Sequence, residues 1–243
     1  MAQWDQFGKD YDHPPFEGTP RLYLIASTPR SGSHFLGHQL LQTGALGSPL
    51  EYFHKPHLER WAAEFGTPDF PSTMARLYAR RTSPSGWFGA KAHWTQFIPI
   101  AQRPQLLSFL GIKIYIEIVR RDRIAQAISF VIAQQTKAWI SFHDRQGEPS
   151  YDFGAIRRVA EALDKDIASW RHFFAAQGIT PLTVEYETLT ADPAAIVDRI
   201  LQHCGTERTQ AAPRWQPQRQ ASEINTRWHD RYHADLAAIG AGA

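Results

Sequence analysis

The sequence predicts an α/β protein of three layers, in which a largely parallel sheet is flanked by helices on both faces. Three observations carry that expectation. Short apolar runs recur near 22–26, 87–94, 111–119 and 182–186. Segments with apolar residues at helical spacing follow them, and the junctions carry glycine, proline or polar capping residues. Alternation of this kind leaves room for the crossovers that parallel strands need. At 243 residues the chain suits one substantial core, and no internal repeat divides it.

Residues 1–20 contain Pro14, Pro15 and Pro20 and read as an irregular lead-in to a single domain over 21–236. Leu22 to Ala26 is a continuous apolar run, suited to a strand buried on both faces. Phe35, Leu36, Leu40 and Leu41 then form a helical stripe, and Gly44 supplies a stop. Between strand and helix lies Thr28-Pro29-Arg30-Ser31-Gly32-Ser33. A short loop of small residues at a helix N-terminus offers unpaired backbone N–H groups to an anion, with hydroxyls from Ser31 and Ser33 and a guanidinium from Arg30. The same residues read equally as a tight turn with a solvated arginine. The loop has one glycine and lacks the Lys-Ser/Thr pair of an ATPase loop, which speaks against a nucleotide hydrolase.

Residues 44–53 form a loop that turns back toward the first one, bringing Glu51 to where a carboxylate could face the reactive end of a bound anion; a solvated glutamate beside Tyr52 and Phe53 is the simpler alternative. From His57 to Arg81 a helical pattern broken by Gly66, Pro68 and Pro71 predicts a helical insertion over one edge of the sheet. Trp87 to Trp94 reads as a strand with Lys91 and His93 on one face. Such a pair can stabilise a leaving oxygen and accept a proton, or can be a strand-edge lysine and a satisfied histidine.

Gly111 to Val119 reads as the clearest strand, with Ile112, Ile114, Ile116 and Ile118 on one side. Arg120, Arg121 and Asp122 follow, then Ile124, Ala127, Ile128 and Val131 at helical spacing. Ligands of open α/β sheets bind outside the C-terminal ends of strands, so Arg120 and Ser129 are candidates for a second anionic group. Phe153 to Gln177 predicts a long amphipathic helix, Leu182 to Tyr186 a strand, and Asp192-Pro193 the start of a helix through Leu201. Residues 206–220 read as a surface loop in which Arg214 and Arg219 could reach phosphate. A last helix carries Trp228 and Tyr232, with 237–243 expected as a flexible tail.

The formal charge of +2, from 26 basic and 24 acidic residues, is too balanced for binding driven by bulk electrostatics, so no nucleic-acid partner is expected. Cys204 is the only cysteine, which precludes an internal disulfide and fits a reducing compartment. The first residues lack the apolar core of a secretory signal and no run reaches membrane-spanning length, so a cytoplasmic location is expected. Among eleven histidines, His54/His57 and His229/His233 have ligand spacing without an obvious third ligand, and no metal is expected.

The stretches YLIASTPRSGSHFL, GSPLEYF, WFGAKAHWTQ, RRDRIAQAISFVIAQQTKAW and VEYETLTADP, with Arg219-Gln220 leading to Trp228, together resemble the sulfotransferase superfamily and, within it, the Stf0-type family. The resemblance implies a P-loop-like sulfotransferase fold and 3′-phosphoadenosine 5′-phosphosulfate as sulfuryl donor. It implies that Arg30, Ser31, Gly32 and Ser33 cradle the 5′-phosphosulfate, that Arg120 and Ser129 hold the 3′-phosphate, that Tyr186 lies near the adenine, and that Arg219 closes over the nucleotide. His34 stands where these loops usually carry a small hydroxyl residue. Glu51 matches the proposed general base of the family, while Lys91-Ala92-His93 resembles the segment whose histidine is the base in cytosolic sulfotransferases. Both candidates stay open, with Arg30 and Lys91 set to stabilise the departing oxygen. The expected acceptor is a hydroxyl of a carbohydrate or glycolipid, and the expected assembly a homodimer. A phosphotransferase would need a Walker lysine and metal-binding carboxylates that the chain does not display. A non-catalytic nucleotide-binding module would have no use for Glu51, Lys91 and His93 together.

Overall fold

The computed structural model describes residues 5–139, 146–209 and 223–241, and its central strand is β1 (Arg21–Ser27), buried at every position after the first. Alternation divides its side chains between two cores: Leu22, Leu24 and Ala26 enter one, Tyr23 and Ile25 the other. A strand covered on both faces belongs inside a parallel sheet. β1 lies between β2 (Trp87–His93) and β3 (Ile114–Val119), with β4 (Leu182–Glu185) beyond β3, and every pairing is parallel. The register sets Ser27 beside His93 and Ala26 beside Glu117, so the loops leaving β1, β2 and β3 emerge on one edge.

One face of the sheet carries α2 (Lys55–Phe65), α3 (Phe70–Arg81), α4 (Trp94–Ala101), α5 (Pro104–Leu110) and α7 (Phe153–Ala176). Trp61, Leu77, Phe97 and Trp170 from these helices pack with Phe88, Ala90 and Ala92 of β2. The other face carries α1 (Ser33–Leu41) and α9 (Pro193–Cys204), whose Leu36, Leu40, Ile196 and Ile200 cover Ile116, Ile118 and Val184. Between β4 and α9 runs the short α8 (Tyr186–Ala191). α6 (Arg123–Thr136) and α10 (Glu223–Ala241) pack on α7 around Ile128, Ile156 and Trp228. The three-layer, parallel α/β architecture read from the sequence is therefore the one observed.

Several boundaries differ, each for a local reason. The strand expected from Gly111 begins only at Ile114, because Gly111 adopts φ 52 to close α5. α4 and α5 fill a stretch whose helical period is interrupted by Pro99 and Pro104. β4 stops at Glu185 and Tyr186 already opens α8. α10 continues to Ala241, past the start of the expected tail at 237, since Ala237 and Ala238 favour helix. From residue 5 onward the described part of the lead-in is irregular apart from a single 3-10 turn, yet it is tied down: Arg81 of α3, fully buried, donates to the Gly8 carbonyl at 3.1 Å and pairs with Asp12 at 2.8 Å. No helix among the described residues is long and apolar enough to cross a membrane.

Candidate active site

The loop after β1 is built around two residues in the left-handed region, Arg30 at φ 64 and Gly32 at φ 92. At Gly32 a Cβ would lie 2.5 Å from Cδ2 of Tyr186, so only glycine satisfies both the backbone and the approach of that ring. Gln126 of α6, fully buried, pins the loop from below: its amide donates to Thr28 Oγ1 at 2.8 Å and to the Pro29 carbonyl at 2.6 Å. Ser31 is also fully buried, and its Oγ has no hydrogen-bond partner among the described residues. A buried hydroxyl with hydrogen-bonding capacity to spare, beneath the start of α1, suits an anion held there.

Toward β3, Arg30 donates from Nε to Ser129 Oγ at 3.0 Å and from Nη1 to the Trp139 carbonyl. Burial, and after it the neighbouring Arg120, lower the Arg30 guanidinium to about 10. Arg120 lies over the Tyr186 ring, 4.7 Å from its centroid. Arg30, Gly32, Arg120, Ser129 and Tyr186 thus form one group around two close cations. The N-terminus of α6 is itself occupied by carboxylates, for Asp122 accepts from the Ala125 N–H at 2.8 Å and Glu187 from the Arg121 N–H at 3.1 Å. Any anion at this end is therefore met by side chains and not by that helix terminus.

Toward β2 the fold assembles a second group. Leu50 forms a parallel bridge to Ala90, and the Lys91 N–H donates to the Leu50 carbonyl at 2.9 Å, which delivers the next residue, Glu51, to the Lys91 side chain. Lys91 Nζ lies 2.5 Å from Glu51 Oε1, and Gln96 donates to Oε2 at 2.9 Å. Gln96 also accepts from the His93 N–H at 2.9 Å and so couples the start of α4 to the carboxylate. His93 Nε2 is 3.8 Å from Glu51 Oε1. On its other side, His93 Nδ1 is 3.0 Å from Ser27 Oγ, which is also 3.0 Å from the Ala92 carbonyl. Ser27 Oγ can thus accept from Nδ1–H or donate to Nδ1, and Nε2 accordingly turns a lone pair or an N–H toward Glu51.

Electrostatics set the protonation states. Burial alone would raise the Glu51 carboxyl, but the Lys91 ammonium, His93 and the Gln96 amide hold it well below the usual carboxylate range. Burial lowers His93 to about 4 against the opposing pull of Glu51. His34, the second residue of α1, is held well below its ordinary value by burial, Lys91 and His38; Glu51 and Arg30 also act on it, so it stands between the two groups. At neutral pH the site therefore holds an ionised Glu51 and two neutral histidines. A carboxylate and a neutral imidazole can each take a proton, while the ammonium can meet a developing negative charge.

Among the predicted residues, Glu51, Lys91 and His93 meet at one end, Arg30, Arg120, Ser129 and Tyr186 at the other, with Ser31, Gly32 and Ser33 in the loop and first turn between. Arg219 and Arg214 lie outside the described residues. Sequence reasoning assigned no role to Gln96 or Gln126; the only trace of Gln126 is a polar residue in the apolar pattern Ile124-Ala127-Ile128. The structure also supplies what the histidine reading lacked, because Glu51 joins His54 and His57. A cleft lined by Leu107, Lys113, Tyr115, Phe173 and His203 opens at the N-terminal end of β3 and holds none of the predicted residues.

Comparison with known proteins bears on this arrangement. Residues 22–235 match the family model described as Stf0 sulphotransferase. The chain is 31% identical over 260 aligned residues to trehalose 2-sulfotransferase of Mycobacterium tuberculosis (strain ATCC 35801 / TMC 107 / Erdman), across 90% of this chain and 97% of that protein. Nodulation protein H of Rhizobium meliloti (strain 1021) is 29% identical, across 80% of this chain and 81% of its own length. In fold, the chain is similar to the crystal structure of a sulfotransferase from Alicyclobacillus acidocaldarius, with a TM-score of 0.50 at 12% identity, across 93% of this chain and 96% of that one.

Proposed function

The chain belongs to the Stf0 sulphotransferase family, and from that premise we propose that it transfers a sulfuryl group from 3′-phosphoadenosine 5′-phosphosulfate to a hydroxyl of a carbohydrate or glycolipid. One observation carries the reading furthest: an ionised carboxylate in contact with a buried ammonium, Glu51 with Lys91, at the edge that also holds the loop with its orphaned hydroxyl. The trehalose named in the relatives supports a sugar acceptor.

The residues present suit a donor with an anion at each end. Ser31 Oγ and the N–H groups opening α1 would receive the phosphosulfate, while Arg120 and Ser129 would receive the 3′-phosphate. Arg30, expected at the departing oxygen, is bonded to Ser129 and the Trp139 carbonyl, and we assign it to holding the donor. When bound, the donor supplies an electrophilic sulfur and a leaving phosphate, displaced in line as in phosphoryl transfer.

Lys91 then has two roles in sequence. In the free enzyme it suppresses the basicity of Glu51. An anionic donor draws the ammonium toward its bridging oxygen, where negative charge grows, and the same shift releases the carboxylate to take the acceptor's proton. Gln96 holds Glu51 in place while Lys91 moves, and the imidazole of His93 is the alternative proton acceptor. Base strength is thereby coupled to donor occupancy.

The test is calorimetric titration with 3′-phosphoadenosine 5′-phosphate, beside ATP with and without magnesium. Micromolar binding of the bisphosphate alone is expected, followed by transfer of labelled sulfuryl groups to sugars. A preference for magnesium-ATP would overturn the reading.

A further inference from the structure

After Leu50 is bridged to β2, the chain turns over residues 51–54 before α2 begins at Lys55, and this turn gathers Glu51, His54 and His57. One ligand atom from each lies within 4.8 Å of the other two. The imidazoles of His54 and His57 meet edge to face with centroids 4.4 Å apart. His57 Nδ1 is 3.1 Å from the Glu51 backbone carbonyl, a contact that a neutral ring makes as donor, which turns Nε2 into the lone-pair atom. A backbone carbonyl on the remote nitrogen is the usual orienting partner of a metal-bound histidine. His54 Nδ1 is buried without a hydrogen-bond partner among the described residues, so that ring has coordinating capacity to spare.

We propose that Glu51, His54 and His57 form a site for a zinc-like divalent cation, and that a cation held there takes Glu51 away from Lys91 and inhibits the enzyme. Two imidazoles and one carboxylate suit zinc better than magnesium or calcium, which favour oxygen-only sets. Zinc–ligand bonds of about 2.0–2.2 Å place ligands roughly 3.3 Å apart, so the three groups must draw together by rotation of partly exposed side chains. The site is not free of competition, because Lys91 and Gln96 hold both Glu51 oxygens. A cation therefore competes with Lys91 for the carboxylate, which sets a moderate affinity and makes binding and inhibition the same event. The inhibitory half rests on the role given to Glu51 above; the binding half does not.

Zinc, cobalt and magnesium chlorides titrated into the whole protein by calorimetry, with the visible spectrum of the cobalt form, test both halves. One equivalent of zinc or cobalt is expected, with no magnesium. His54→Ala and His57→Ala, checked for fold by circular dichroism, should each weaken zinc at least tenfold, while a variant altered at His229 and His233 should bind as wild type. Should the histidine variants misfold, Lys91→Met is expected instead to tighten zinc about tenfold by removing the competitor. Wild type without stoichiometric zinc, or zinc unaffected by all of these substitutions, would overturn the site. Zinc should also depress sulfuryl transfer in wild type and not in His57→Ala. Bound zinc with undiminished transfer would sink the inhibitory half, and a protein that binds zinc but transfers no sulfuryl group to any sugar would fault the proposed function and not the site.

Discussion

The two ends of the site are built on opposite principles. At the β2 end every charge is answered within the protein: Lys91 meets Glu51, Gln96 meets both Glu51 and the His93 N–H, and His93 meets Ser27. At the loop and β3 end two guanidiniums lie in each other's field and the Ser31 hydroxyl is buried without a partner among the described residues. An unpartnered buried hydroxyl costs about 1–3 kcal/mol, which the fold carries until a ligand offsets it. A self-satisfied group holds its shape without substrate and must be disturbed before it reacts, whereas a buried hydroxyl left unpaired can take a partner from a ligand. On the proposed function, donor binding would come first and base activation second.

The largest expected effect breaks the satisfied end. Glu51→Gln keeps the shape and loses the proton acceptor, so turnover should fall by about two to four orders of magnitude, the range for a positioned general base, with binding of 3′-phosphoadenosine 5′-phosphate preserved. Steady-state kinetics beside calorimetry checks this, and near-normal turnover would transfer the role to His93. Next in size is the open end. Arg120→Ala should weaken the bisphosphate about 10- to 100-fold, the equivalent of roughly 1.5–3 kcal/mol for a hydrogen bond to a charged group, and leave turnover at saturating donor much less affected. Equal losses at both ends of the titration would erase the distinction between binding and reaction groups.

Gly32→Ala sharpens the comparison differently, since it strains the loop without touching a charge. With φ at 92 and a Cβ 2.5 Å from Tyr186 Cδ2, the variant should lose about 1–3 kcal/mol of stability in denaturant unfolding and bind donor poorly, while the Glu51–Lys91 pair persists.

What could be read from the sequence follows the same division. The loop at the open end is local: strand, small residues and helix start are contiguous, so the strand-to-helix loop from Arg30 to Ser33 was visible as a candidate anion site. β4 and α9 were equally visible, because Asp192 caps the Ala195 N–H at 3.0 Å and Pro193 opens the helix. The satisfied end is a product of long-range placement. From its own pattern Glu51 could be read as a carboxylate facing an anion or as a solvated one, because its position depends on the bridge from Leu50 to Ala90, forty residues away. Gln96 was missed with α4, whose Pro99 obscures the helical period, and the start of β3 was misplaced because Gly111, read within a strand, closes a helix. Gln126 reaches across 97 residues to the Pro29 carbonyl, and no local pattern encodes that.

The smallest expected effect concerns acid stability, where the satisfied end again differs from the rest. An unfolded histidine titrates near 6.5, whereas burial lowers native His93 to about 4. Between those values the unfolded chain binds a proton that the native state does not, so stability falls as pH drops from about 6.5 toward 4. Glu51 acts in a lower window: its carboxyl is held below the unfolded value of about 4.3, so its contribution is fully present above that pH and is lost as pH falls further. His34, also kept neutral by burial, shares the upper window. His93→Gln should therefore reduce the slope of unfolding free energy between pH 6 and 4.5 by about 1.4 kcal/mol per pH unit, the value for one proton, without abolishing it. Below about 4.3 the steeper loss tied to Glu51 should persist. An unchanged upper slope would mean that His93 titrates alike in the native and unfolded states, and that burial does not hold it down.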